Sequence, residues 1–376
     1  MNADERQVDG RRSTVDQEGV PAEACPERSR GDCRPSTFIL SLPKAELHLH
    51  LEGAVDAPTL AELSRRHNTP LPIENNNYGF SEESGRELSE EDVRALYQYR
   101  DFTGFMLAFK AVTERLRTPE DYELITYRLM QRLAAENVLH AEVYVAVGVV
   151  LWRGYDFDPI FEGLERGRQR GERDFGVSLL WIFDAVRHFG ADAAARVIDK
   201  AIQFRRRNVA GIGIGGDERR ATPELFRDGF ARARQHGLRL TAHAGEIAGP
   251  ESVLGALDAL HVDRLGHALS ACQSPELMVR LARERMPLEI CITSNLRTGC
   301  CPSLAQHPFK TYFDRGLLLT LNTDDPEMFQ TSLAREYQLA QDTFGLSDQQ
   351  VRELAGNSFR ASFLPEDSKR SFLAKF

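Results

Sequence analysis

From Phe38 onward, short apolar runs rich in β-branched residues alternate with longer stretches whose apolar positions recur every three or four residues. Runs of the first kind lie at 45–52 (AELHLHLE), 139–147 (LHAEVYVAV), 178–186 (SLLWIFDAV) and 209–215 (VAGIGIG). Four more follow at 238–244 (LRLTAHA), 263–268 (DRLGHA), 287–294 (PLEICITS) and 317–323 (LLLTLNT). Their length and composition predict strands, and 191–207, 222–236 and 250–260 between them predict amphipathic helices. Thr222-Pro223 and Gly249-Pro250 put proline in a first helical turn, where its missing N–H costs nothing. Eight strands alternating with helices predict an α/β fold of parallel βα units, and eight is the number that closes a (β/α)8 TIM barrel. A doubly wound open sheet is the alternative, but "GIGIGGDE" lacks the G-x-G-x-x-G spacing that would favour it. About 85 residues separate the first two runs, too many for an ordinary connection. That gap holds 78–92 (YGFSEESGRELSEED) and a helical pattern over 93–118, and it predicts a helical lid insertion after strand 1, over the barrel mouth.

Residues 1–36 are polar, charged and rich in Gly, Pro, Ser and Arg, so they predict a disordered tail ahead of one domain over 37–376. Hydrophobic residues make up 42% of the 376, enough for a substantial core. A net charge of -9 provides no electrostatic footprint for nucleic acid or an anionic membrane, so the expected partner is a small molecule. The six cysteines (Cys25, Cys33, Cys272, Cys291, Cys300 and Cys301) show no C-x-x-C spacing and are too sparse for a disulfide scaffold. No run approaches the roughly 20 apolar residues of a membrane span, and the N-terminus has no apolar signal core. A soluble, cytoplasmic protein is the expectation; the pattern says nothing of oligomeric state.

The chemistry-bearing residues gather at predicted strand ends. His48 and His50 close the first strand, His243 the fifth and His267 the sixth, while Asp324 and Asp325 follow the eighth. In a barrel all would meet at the C-terminal face, where such folds keep their sites. Side chains two apart on a strand share a face, so His48 and His50 can reach one ion. With His243 and Asp324 they make three nitrogens and a carboxylate, a set suited to a single Zn²⁺ with an open position, and one that also accepts Fe²⁺ or Mn²⁺. Glu246, three residues after His243, reads as a proton donor and acceptor beside the metal, or as a first-turn carboxylate of the next helix. His267 reads as the holder of the attacking water, or as a satisfied core histidine. Asp325 reads as a substrate contact, and "DDP" is equally good turn chemistry. Gly215 and Gly216 allow a flat ligand to approach the main chain, or simply make a tight turn. His67, His140, His188, His236, His261 and His307 read as surface or packing residues. Tyr97, Tyr99, Phe102, Phe105, Met106 and Phe109 form an aromatic stripe at helical spacing, either core or, in a lid, a substrate wall.

"PKAELHLHLEGA", "GIGGDE", "HAGE", "RLGHA", "TSNLRTG" and "LNTDDPEMF", in this order, resemble the adenosine deaminase family of metal-dependent amidohydrolases over roughly residues 41–365. The resemblance implies a (β/α)8 barrel with one zinc ion and hydrolytic deamination of a 6-aminopurine. By motif, His48, His50, His243 and Asp324 are similar to the zinc ligands, and Glu246 to the residue that protonates purine N1. His267 is similar to the histidine that orients and polarises the nucleophile, Asp325 to the contact with N7, and Gly216 to the backbone donor to N3. Glu52 stands where many adenosine deaminases carry an aspartate facing the ribose 5′-hydroxyl. The "HLHLEG" form also occurs in adenine deaminases, and "HAGEIAGPES" leans the same way, whereas "SNLRTG" is closer to the nucleoside enzymes. Other relatives deaminate 6-amino-6-deoxyfutalosine, whose 5′-substituent is bulky. The implied substrate is therefore adenosine or an adenosine-like nucleoside, with free adenine as the alternative. A non-catalytic purine-binding scaffold is the third reading, opposed by the presence of every expected residue. No P-C-x-x-C follows the "HLE" at 50–52, which separates the chain from nucleic-acid deaminases.

Overall fold

The first barrel strand, β1 (Lys44–His50), is buried at every position, as a strand covered on both faces must be. The computed structural model describes residues 34–69, 73–75, 79–81, 90–99 and 102–376, so the expected tail lies outside the described residues as far as Cys33. Seven further strands follow: β2 (Val138–Val145), β3 (Ser178–Val186), β4 (Val209–Gly215), β5 (Arg239–Ala244), β6 (Arg264–His267), β7 (Leu288–Ile290) and β8 (Leu319–Leu321). They pair in chain order, each parallel to the next, with helices between them, which is the (β/α)8 barrel. All eight lie within or next to the runs read from the sequence. The seventh differs: its ladder ends at Ile290, and Ile292–Arg297 is a helix although "ICITS" is β-branched. Local propensity yields there to a turn that buries Ser294 and Asn295.

The barrel closes between β1 and β8 through a parallel bridge, Leu49 to Asp324. Asp324 N–H donates to His48 O (3.0 Å), and His50 N–H donates to Asp324 O (2.8 Å). Below this bridge, side chains make the seam. Asn322 Oδ1 accepts from Leu47 N–H (2.8 Å) and His48 N–H (3.2 Å), and Glu46 Oε1 accepts from Thr323 N–H (2.9 Å). The barrel interior is ionic: Arg264 donates to Glu289 and Glu142, each at 2.5 Å, and all three side chains are fully buried. Removing one partner from such a group typically costs about 3–5 kcal/mol. His140, expected at the surface or in packing, lies within 3.3 Å of Glu142 in this interior.

Two helices of the expected lid, Glu90–Leu96 and Phe102–Thr113, are described, as is a short antiparallel pair, Ile73–Asn75 with Gly79–Ser81; the segment 82–89 between that pair and the helices is outside the described residues. The Tyr97 hydroxyl donates to Val55 O (2.8 Å) and the Tyr99 hydroxyl to Met328 O (2.9 Å), tying the lid to the loops after β1 and β8. No helix among the described residues is long and apolar enough to cross a membrane.

Asp121 anchors the helix Pro119–Ala135, which follows the lid. Burial would raise its pKa, but the Arg117 and Thr118 amides and the Arg66 and His67 side chains outweigh burial and hold it below 3.8. Its stabilising contribution is therefore whole above about pH 3.8 and is lost as pH falls through the lower folded value. Asp121→Asn should lower the apparent Tm by a few degrees at pH 7, at roughly 2–4 °C per kcal/mol lost, and the gap to wild type should shrink below about pH 4. Thermal scans at pH 7 and pH 3 measure it; a gap that widens in acid contradicts the assignment.

Candidate active site

The β1–β8 seam fixes the first part of the site. His48 and His50 project inward from β1, and Asp324 takes a left-handed backbone (φ +68°) just past β8, a conformation that aspartate tolerates. His243 Nε2 comes from β5 and lies 3.1 Å from His48 Nε2 and 3.2 Å from His50 Nε2. Asp324 Oδ1 lies 3.3 Å from His48 Nε2 and 3.2 Å from His50 Nε2. Bonds of about 2.0–2.1 Å to a central Zn²⁺ give tetrahedral donor–donor edges of about 3.3 Å, so these four atoms have the spacing of a metal cage. All four side chains are buried.

Three of the four candidate ligands are oriented from behind. His48 Nδ1 lies 2.7 Å from Glu289 Oε2, His243 Nδ1 lies 3.2 Å from Ile214 O, and Ser294 Oγ donates to Asp324 Oδ2 (2.6 Å). Such partners fix the ring that presents its Nε2 to a metal. Burial, followed by the neighbouring His48, His267 and His50, pushes His243 well below 6.5, leaving it neutral as a ligand must be.

Glu246 stands beside the cage, with Oε2 3.7 Å from His267 Nε2. Burial and the nearby Asp324 and Glu218 carboxylates raise its pKa to about 8, so it carries a proton at neutral pH. The first-turn alternative does not describe it, because the next helix begins at Pro250 with Gly249 as its cap. The Glu218 carboxylate holds the loop, accepting from the amides of Gly245 (2.7 Å), Glu246 (2.8 Å) and Ile247 (3.0 Å).

His267 is fully buried, and burial lowers its pKa to about 4. Its tautomer follows from a chain of contacts. Phe309 N–H can only donate, and it donates to His307 Nδ1 (3.2 Å). His307 Nε2 must then carry the proton facing Asn295 Oδ1 (3.2 Å), which turns Asn295 Nδ2 towards His267 Nδ1 (3.1 Å). His267 therefore keeps its proton on Nε2, the atom that faces Glu246 and Asp324. Sequence reading set His307 aside as surface or packing, and it did not single out Asn295.

Asp325 is buried, with Oδ1 unpartnered among the described residues. Burial and the Asp324 charge push it well above the usual carboxylate range. A Cβ on Gly53 would fall 1.8 Å from this Oδ1, so the glycine of "HLHLEG" is what lets the two loops meet. Gly216 has φ +90°, a backbone that favours glycine. Glu52 is fully buried; its Oε1 accepts from Ala146 N–H (3.1 Å), its Oε2 has no partner among the described residues, and burial raises it to about 7.

Beside these groups lies a cavity of about 160 Å³, bounded by His50, Gly216, His243, Glu246, His267 and Asp325 below, and by Phe105, Met106 and Phe109 of the lid above; Glu52 is not among its lining residues. The aromatic stripe thus divides: Tyr97 and Tyr99 anchor the lid, Phe105, Met106 and Phe109 line the cavity, and the Phe102 side chain lies outside the described residues. Asp184 and His188 at the end of β3 also line it, and Asp184 was missed because nothing in "WIFDAV" distinguishes it from a strand residue.

The adenosine deaminase family model matches residues 43–376. The chain is 35% identical over 341 residues to an aminodeoxyfutalosine deaminase of Streptomyces avermitilis, covering 90% of this chain and 91% of that one. The crystal structure of an adenine deaminase from Arthrobacter aurescens superposes with a TM-score of 0.81 at 30% identity, over 89% of this chain and 98% of its own. An amidohydrolase from Burkholderia ambifaria, whose crystal structure has bound Zn, superposes with a TM-score of 0.76 at 29% identity, over 95% and 96%.

Glu289→Gln removes the carboxylate behind His48 while keeping its shape. Metal affinity, measured by competition with a chelator, should weaken by about 10–100-fold. An unchanged affinity would remove Glu289 from any role in orienting His48.

Proposed function

The chain belongs to the adenosine deaminase family of metal-binding hydrolytic deaminases that act on purines, and from that premise we propose zinc-dependent deamination of a 6-aminopurine nucleoside. The substrate is adenosine or an adenosine-like compound such as 6-amino-6-deoxyfutalosine, and the products are the 6-oxo purine and ammonia. The observation that carries this reading is the four-atom cage with a protonated carboxyl, Glu246, on the wall of the same cavity. His48, His50, His243 and Asp324 would hold the zinc; Fe²⁺ or Mn²⁺ would find the same donors. Zinc, when bound, supplies Lewis acidity that lowers the pKa of water from about 15.7 to about 7.

The protein's own groups then divide the work. Glu246 donates its proton to ring N1 as oxygen adds at C6, so that negative charge does not accumulate on the ring. The His267 Nε2–H is aimed at the side from which the nucleophile arrives, and it stabilises charge there. A purine N7 presents a lone pair, which calls for a donor; burial and the Asp324 charge both favour the protonated form of Asp325, which would meet it. The Gly216 backbone N–H is assigned to N3. These contacts fix the ring for attack, and Phe105, Met106 and Phe109 keep bulk water away. The remaining Glu52 oxygen, Oε2, is assigned the 5′-hydroxyl. Deamination of free adenine is the second reading, favoured by the adenine deaminase fold match and by "HLHLEG", and it would use the same machinery.

Zinc-loaded protein should convert adenosine or aminodeoxyfutalosine with loss of absorbance near the adenine maximum, and a chelator should abolish the reaction. If adenosine, aminodeoxyfutalosine and adenine are all left untouched, the deaminase reading fails. Glu246→Gln should retain its metal and lose about 10²–10⁴-fold in kcat. A variant keeping more than about a tenth of the wild-type rate would exclude proton transfer by Glu246.

A further inference from the structure

The contacts assigned above account for N1, N3 and N7 of a purine, yet two titratable side chains of the cavity wall remain unused. Asp184 lies near the C-terminal end of β3, is 7% exposed and lines the cavity, and its Oδ1 has no hydrogen-bond partner among the described residues. His188, four residues on, is half-buried in the same wall, and its Nδ1 also lacks a partner among the described residues. A buried, unmatched carboxylate costs several kcal/mol unless something donates to it, so a fold does not keep one idly.

The neighbouring strand makes room for it. Asp184 pairs in register with Gly213 of β4, and a Cβ at Gly213 would come within 2.9 Å of Asp184 Oδ1. A Cβ at Gly215 would lie 3.3 Å from Oδ2, and one at Gly216 would lie 3.1 Å from His188 Nδ1. Asp184 therefore lies beside Gly213 and Gly215, and His188 beside Gly216, the glycine assigned to ring N3; N9, which carries the sugar, is on the same edge of the ring as N3.

We propose that Asp184 is a specificity-determining residue that accepts a hydrogen bond from a ribose hydroxyl of the substrate, with His188 as the second polar contact of the sugar. The inference rests on the nucleoside reading above and sharpens it. A sugar brings hydroxyl donors to the N9 side of the ring. Free adenine offers that side a single N9–H and leaves the second group unmatched. A site built to bond a substrate hydroxyl discriminates strongly against the analogue that lacks it.

The test compares kcat/KM for adenosine, its 2′-, 3′- and 5′-deoxy analogues and adenine, in wild type and in Asp184→Asn, with zinc content and Tm of both recorded. Wild type should lose about tenfold or more on the 2′- or the 3′-deoxy analogue, the scale of a charged hydrogen bond, the 5′-deoxy analogue reporting on Glu52. Asp184→Asn should lose about as much on adenosine, no more than about twofold further on that same analogue, and less than about threefold on adenine. Asp184→Ser repeats the cycle should the asparagine variant fold poorly. Equal losses on all five substrates would make Asp184 a support for the metal centre and overturn the proposal. A loss confined to adenine would identify N9–H as the donor and overturn it as well. Wild type acting on adenine alone refutes the nucleoside reading, and the sugar contact with it, before any variant is made. Wild type acting on adenosine while Asp184→Asn is unaffected refutes the contact and leaves the nucleoside reading standing.

Discussion

Closure of the barrel between its first and last strands is the constraint on which the rest depends. The bonds that make the seam belong to the ligand residues themselves: the Asp324 amide reaches His48 O, and the His50 amide reaches Asp324 O. A parallel sheet left open at this edge would hold the histidine pair and the aspartate apart. Closed, it sets three donors within about a tetrahedral edge of one another, and β5 brings the fourth. The seam is therefore both a folding contact and the assembly step of the metal centre. Asn322 and Glu46 continue it downward with side chains in place of a regular ladder.

The mouth of the barrel concentrates carboxyl groups to a degree that burial alone would not allow. Asp184, Glu246, Asp324 and Asp325 line one cavity, while Glu52 and Glu289 are buried close by. Like charges at this density push some members up and hold others down. Asp324, bonded to His48 and His50, is depressed, and Asp325 beside it is raised. Glu289, opposed by burial but paired with Arg264 and His48, stays ionised. The outcome is a division among neighbours: the carboxylates bonded to histidine or arginine are held down, and Glu246 and Asp325 on the cavity wall are pushed up. A divalent cation in the cage would relieve the remaining charge, which couples the stability of this end of the barrel to metal.

Precision at His267 is obtained differently, through neutral groups. One backbone N–H, at Phe309, fixes the direction of a three-residue chain that ends at the proton on His267 Nε2. Glu218 does comparable work for the adjoining loop by gathering the three successive amides around Glu246. Both devices act by restricting the side chains they hold, so their value is in pre-organisation.

The sequence alone determined the barrel, its eight strands and the four residues that converge as a candidate cage, because each is written in local signals. A strand shows as a short β-branched run, two side chains on one face as an i, i+2 pair, and a site residue as an unusual polar group at a strand end. The sequence also marked the lid by the length of its insertion. What it left undecided required contacts between segments distant along the chain. Whether His307 packs or relays depended on Asn295, and whether Asp325 merely turns the chain depended on Gly53 of another loop. Asp184 could not be told from an ordinary strand position until β4 was seen to place glycines beside it. "ICITS" lost its strand ending because burial of Asn295 outweighed the preference of its neighbours. Local periodicity records which face a residue takes; only tertiary structure decides what waits on that face, since hydrogen-bond partners and neighbouring charges come from elsewhere in the chain.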